Sequence, residues 1–130
     1  MPEEPRPRLL LADDHPEILR AFQRLLAPFY EVVGRVTDGV ALVGEARRLQ
    51  PDIVVVDLAM PGIGGLEACV RIKSVSPECK IVMVTATDDA DIRQSALRNG
   101  ASAFVLKQKA WSDLVNAIQN VLLDRNDAPS

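Results

Sequence analysis

The chain has 130 residues, of which 48% are hydrophobic and 25% charged, enough apolar material for one domain with one sizeable core. A formal net charge of -3, with no basic stripe interleaved with aromatics, argues against a domain that binds nucleic acid. No apolar run approaches the ~20 residues that a membrane helix needs, and residues 1–7 lack the apolar stretch of a secretory signal, so the expectation is a cytoplasmic protein with a disordered lead-in.

Short apolar runs alternate with amphipathic stretches five times, the pattern of a parallel α/β sheet. A first strand is expected from Arg8 to Ala12. A first helix follows Pro16, a residue suited to the first turn, with Ile18, Leu19, Phe22, Leu25 and Leu26 on one face and Pro28 ending it. Glu31 to Val36 is the most polar strand candidate and is placed at a sheet edge. Thr37 or Asp38 can cap the second helix, whose Leu42, Ala46 and Leu49 share a face. Past Pro51, Ile53-Val54-Val55-Val56 is β-branched throughout and suits a strand covered on both faces.

The third helix carries Leu66, Cys69, Val70 and Lys73 at helical spacing and closes before Pro77. Lys80 to Val84 is the fourth strand, followed by a stretch rich in N-cap residues, Thr85 to Asp89. The fourth helix is weak, with Ile92, Ala96 and Leu97 as its apolar positions and Asn99-Gly100 as its stop. Ala103 to Leu106 is the fifth strand, and the last helix shows Leu114, Val115, Ile118, Val121 and Leu122 on one face, with Trp111 packing at its start. The domain spans residues 8–123, and residues 124–130 read as a frayed tail or the start of a linker. Cys69 and Cys79 have neither CxxC spacing nor a nearby histidine and read as reduced thiols.

Ligands of open parallel sheets bind outside the carboxyl ends of the strands. Those ends carry Asp13-Asp14, Asp57, Thr85 and Lys107. If the first, third, fourth and fifth strands are neighbours, these side chains converge. Two like charges 4 Å apart repel by about 1 kcal/mol in water and by ~4 kcal/mol at an effective dielectric of 20, so the acidic cluster requires positive charge. Lys107 supplies one such charge. Mg²⁺, which favours a few carboxylates together with water and phosphate oxygens, supplies two more. In such a pocket Asp57 can act as a nucleophile and form an aspartyl-phosphate, with Thr85 donating its hydroxyl to the phosphoryl group and small Ala86 leaving the approach open. Each residue has a plainer role when taken alone: the aspartates as helix caps, Thr85 as a cap, Lys107 as a solvated lysine, Phe104 as core, His15 as an exposed loop residue without a metal role.

The full ordered set, Asp13-Asp14, Asp57-x-x-Met60-Pro61-x-x-x-Gly65, Thr85-Ala86 and Lys107, resembles the response-regulator receiver domains of two-component signalling over Arg8 to Leu123. Ala12-Asp13-Asp14-His15-Pro16 further resembles the NarL/FixJ-like subgroup. The resemblance implies a flavodoxin-like (CheY-like), doubly wound α/β fold with a five-stranded parallel sheet in the order 2-1-3-4-5. It also implies that Asp57 accepts phosphate from a sensor histidine kinase. Mg²⁺ would be held by Asp14, Asp57 and the backbone carbonyl of Ala59, with Asp13 acting through water. Thr85 and Lys107 would stabilise the phosphoryl group. Thr85 and Phe104 would form a switch that alters the surface of helix four, strand five and helix five. Ala59 and Thr87 would tune dephosphorylation.

Many receivers have proline after the lysine; here Gln108 stands there, so a trans peptide is expected. A non-enzymatic switch, with transcription as its output, is what the resemblance implies, with dimerisation on phosphorylation as a further expectation and, as alternatives, a DNA-binding effector beyond the C-terminus or a free-standing receiver. The rival readings are a haloacid-dehalogenase-like phosphatase, disfavoured because Ala59 stands where that family needs an acid, and a flavin-binding module, disfavoured because Asp13-Asp14 would repel the flavin phosphate.

Overall fold

The computed structural model describes residues 5–124; of the expected lead-in and tail, residues 1–4 and 125–130 lie outside that range. Five strands and five helices alternate: β1 (Arg8–Ala12), α1 (Pro16–Leu26), β2 (Glu31–Val36), α2 (Gly39–Leu49), β3 (Ile53–Asp57), α3 (Gly65–Val75), β4 (Lys80–Thr85), α4 (Ala90–Arg98), β5 (Ala103–Leu106) and α5 (Ala110–Asp124). The strands form one sheet in the order β2-β1-β3-β4-β5, and every pairing is parallel. As expected, β2 is an edge, and its register against β1 slips between Leu9 and Leu10, so that Val33 is the extra residue of a bulge.

Side chains alternate across a strand, and here both sets are buried. Leu9, Leu11, Ile53, Val55, Val82, Val84 and Val105 face one side, where they pack with Leu19, Phe22 and Leu26 of α1 and Leu114, Ile118 and Val121 of α5. Leu10, Val54, Val56, Ile81 and Met83 face the other, under Leu42 and Ala46 of α2, Ala68, Cys69 and Ile72 of α3, and Ala96 of α4. This two-sided covering explains why β3 is apolar without interruption until Asp57. Among the described residues, no helix is long and apolar enough to cross a membrane.

The face of α3 differs from the expectation. Gly65, Ala68, Cys69 and Ile72 are its buried positions, whereas Val70 is 46% exposed. The reason is the approach of the helix to β3. A Cβ on Gly65 would lie 2.7 Å from Leu58 Cα and 2.8 Å from Asp57 O, so contact through the bare glycine backbone fixes the rotation of α3. In α4, Ala96 is buried but Leu97 is 48% exposed, against its expected place on the apolar face. Asp38, not Thr37, caps α2, its carboxylate accepting from Ala41 N at 2.8 Å.

Candidate functional site

Asp13 directly follows β1 and Asp57 ends the neighbouring β3, and they are 1% and 5% exposed. The adjacent strand β4 ends at Thr85, also buried, and β5 leads into a single 3-10 turn, Lys107–Lys109, that turns Lys107 back over the rim. That turn, with only trans peptides, is the shape the chain takes with Gln108 in the place of proline. Lys107 Nζ lies 2.9 Å from Asp13 Oδ2 and 3.2 Å from Asp57 Oδ2. Ala59 N donates to Asp57 Oδ1 over a long 3.4 Å. The carboxylates and lysine that the sequence places at separate strand ends thus share one pocket.

Their charges act on one another. Burial pushes the Asp57 carboxyl above its ordinary range and the charge of Asp13 adds to that, while Lys107 and the Ala59 N–H oppose it. Burial alone would lower Lys107, but its close pairing with Asp13 and the attraction of Asp57 outweigh this and the net shift is upward. Asp13 Oδ2 is buried and, among the described residues, accepts no well-directed hydrogen bond; the nearby ammonium is an ionic neighbour. A buried carboxylate oxygen in that condition, beside two more carboxylates, suits a hard cation.

Thr85 and Phe104 are not joined to this cluster. The Thr85 hydroxyl accepts from Thr87 N at 3.2 Å, within the loop after β4. Phe104 is partly buried against the core under α4, and the Arg93 guanidinium stands 5.3 Å from its ring centroid while pairing with Asp88 at 2.7 Å. Arg93 escapes sequence reading because on a weakly patterned helix it looks like any solvated arginine.

His15 is the larger omission. Its backbone N–H donates to Asp13 Oδ1 at 2.9 Å, and its Nδ1 lies 3.0 Å from that oxygen and 3.1 Å from Asp14 Oδ1. The hydrogen bond to Asp13, then the charge of Asp14, raise its pKa. Aspartate commonly turns the chain by bonding the backbone two residues on, and that habit was the available signal. A cleft of about 530 Å³ at the opposite end of the sheet, lined by Gln50, Pro51, Asp52, Ser76, Glu78, Cys79 and Lys80, holds none of the rim residues.

The family model described as "Response regulator receiver domain" matches residues 9–119. Among curated proteins, the chain is 35% identical to the response regulator GacA of Pseudomonas viridiflava over 116 residues, 88% of this chain and 54% of that protein. It is also 35% identical to the oxygen regulatory protein NreC of Staphylococcus aureus over 117 residues, with the same coverage of 88% and 54%. The chain therefore spans about half the length of the curated relatives it matches. Among solved structures, the signal receiver domain of the putative response regulator NarL from Mycobacterium tuberculosis superposes with a TM-score of 0.85 at 28% identity, covering 90% of this chain and 96% of that one. A LuxR-family two-component response regulator from Aurantimonas gives 0.87 at 34% identity, covering 92% and 87%. None of these comparisons supports the phosphatase reading, and Ala59 brings no carboxyl to the rim. With its strand order, its rim carboxylates and lysine and its relatives in agreement, the chain belongs to the response-regulator receiver-domain family.

Proposed function

We propose that this domain is a phosphorylation-driven switch in which Asp57 is the phosphoacceptor. One observation carries the reading: Lys107 Nζ reaches both Asp57 and Asp13 from a different strand end, leaving one cation against a cluster of carboxylates. An Asp57 oxygen attacks the phosphorus of a phosphohistidine on a sensor histidine kinase. The O–P bond forms, the P–N bond breaks, and the released imidazole takes a proton from solvent. Lys107 offsets charge on the transferred group, and Thr85 donates its hydroxyl once it leaves Thr87.

Asp14, Asp57 and the carbonyl of Ala59 would hold Mg²⁺, with Asp13 acting through water. When bound, Mg²⁺ supplies charge neutralisation for the phosphoryl oxygens. Ala59 and Thr87, both exposed and each two residues past a rim residue, would set access for the hydrolytic water. Rearrangement of Thr85 and Phe104 would carry the change to the surface of α4, β5 and α5, with transcription as the output through a DNA-binding effector like those of LuxR-family relatives. Phosphorylation-dependent dimerisation and a cytoplasmic location belong to the same reading.

Incubation with acetyl phosphate and Mg²⁺ tests it by intact-mass measurement. Wild type gains the mass of one phosphoryl group and Asp57→Asn gains none; equal labelling of the variant would refute the assignment.

A further inference from the structure

The two oxygens of Asp13 face different partners. Oδ2 lies 2.9 Å from Lys107 Nζ, whereas Oδ1 lies 3.0 Å from His15 Nδ1. The same nitrogen is 3.1 Å from Asp14 Oδ1. One ligand atom from each of Asp13, Asp14, His15 and Asp57 falls within 4.8 Å of all the others. Imidazole and carboxylate ligands bind divalent metals such as Zn²⁺ at about 2.0–2.2 Å, so two ligands at right angles on one ion stand ~3 Å apart. The His15–Asp13 and His15–Asp14 separations already have that length.

We propose that His15 is an additional ligand of the acidic pocket, one that makes it a site for nitrogen-accepting divalent cations as well as for Mg²⁺. This rests on the pocket being a divalent-cation site at all. Mg²⁺ takes oxygen donors and has no use for the imidazole. Ni²⁺, Co²⁺ and Zn²⁺ bind imidazole well, and affinity for a mixed nitrogen and oxygen site rises along the first-row series to Ni²⁺ and Cu²⁺. The geometry favours entry: the His15 side chain is 54% exposed, so an ion approaching from solvent meets the ring before the buried oxygens. Ligation through Nδ1 would require that nitrogen to be unprotonated, with any proton it carries released to solvent and the ring proton on Nε2.

The chain contains one histidine, so any imidazole-dependent affinity is assignable to His15. Tag-free protein is titrated calorimetrically with NiCl₂ and, separately, MgCl₂ near pH 8, as wild type, His15→Gln and Asp14→Asn. The expected result is that His15→Gln weakens Ni²⁺ by about tenfold or more while Mg²⁺ changes by less than about twofold, and that Asp14→Asn weakens both. Unchanged Ni²⁺ affinity in His15→Gln overturns the inference and leaves the Mg²⁺ reading standing. Parallel loss of both metals also overturns it, because His15 would then be shaping the pocket, not ligating. A wild type that binds neither metal removes the cation-site reading and this inference with it.

Discussion

Lys107 leans toward Asp13, with its ammonium 2.9 Å from that carboxylate and 3.2 Å from the carboxylate of Asp57. The lysine is thus a structural counter-ion to β1 as well as a neighbour of the proposed phosphoacceptor. Removing it leaves two buried like charges facing each other across adjacent strands. Lys107→Met should lower the stability of metal-free protein by about 1–2 kcal/mol, less than for a fully buried pair because the lysine side chain is 22% exposed. Adding Asp13→Asn to that variant should restore most of the loss. Urea denaturation in EDTA reads both values, and a double variant no more stable than the single one would contradict the counter-ion role.

Asp57 makes stability depend on pH in a definite direction. Its folded-state pKa is raised, chiefly by burial and then by Asp13, so the folded protein holds that proton more tightly than the unfolded chain does. Its contribution is therefore fully present below the unfolded value near 3.8 and is lost as pH rises through the folded value. Above the folded value the ionised Asp57 is a net cost to the metal-free fold. Asp57→Asn should raise stability at pH 7 by on the order of 1 kcal/mol, with the gain shrinking toward pH 4. Melting curves in EDTA at several pH values check this, and a gain that does not depend on pH would exclude the electrostatic explanation.

The thiols should be silent in the folded protein. Burial pushes Cys69 up to about 11 and Cys79 up to about 12, so at pH 8 roughly one molecule in a thousand or fewer carries either thiolate. A chromogenic disulfide reagent should label neither cysteine over minutes at pH 8, and both in guanidinium. Rapid native labelling of Cys79 would show that the floor of the α2–α3 layer opens locally.

Gly65 ties the start of α3 to the end of β3. Gly65→Ala would drive a methyl group into Leu58 and the Asp57 carbonyl, neither of which can retreat as a side chain tip would. The expected cost is about 1–3 kcal/mol. Because the displaced backbone includes Asp57, labelling by acetyl phosphate should also slow. A variant as stable as wild type would mean that α3 sits farther from the strand than described.

Much of this was legible in the residues. Runs such as Ile53 to Val56 and Lys80 to Val84 mark parallel strands because both their faces are covered, and the rim residues follow from where those runs stop. On α3, Cys69 is buried and Leu66 packs against the core as their spacing implies, but Val70 only looks like core, because close packing through Gly65 is a tertiary matter. Gln50 adopts a left-handed φ of 47° at the end of α2, a conformation usually given to glycine or asparagine. Its side chain donates to Arg47 O and Val75 O, long-range support that no local pattern announces. One histidine in a sequence is weak evidence for a metal, and it is the turn at Asp13 that sets His15 beside two carboxylates.

Ala96 is the one fully enclosed side chain of α4, while α5 on the opposite layer anchors Leu114, Ile118 and Val121. A rod pinned at a single stud swings for little energy, and one fastened along its length does not. If the proposed switch operates, the disturbance at the pocket would travel outward along the loosely pinned side of the sheet, with the α1–α5 layer as the fixed frame against which that swing is felt.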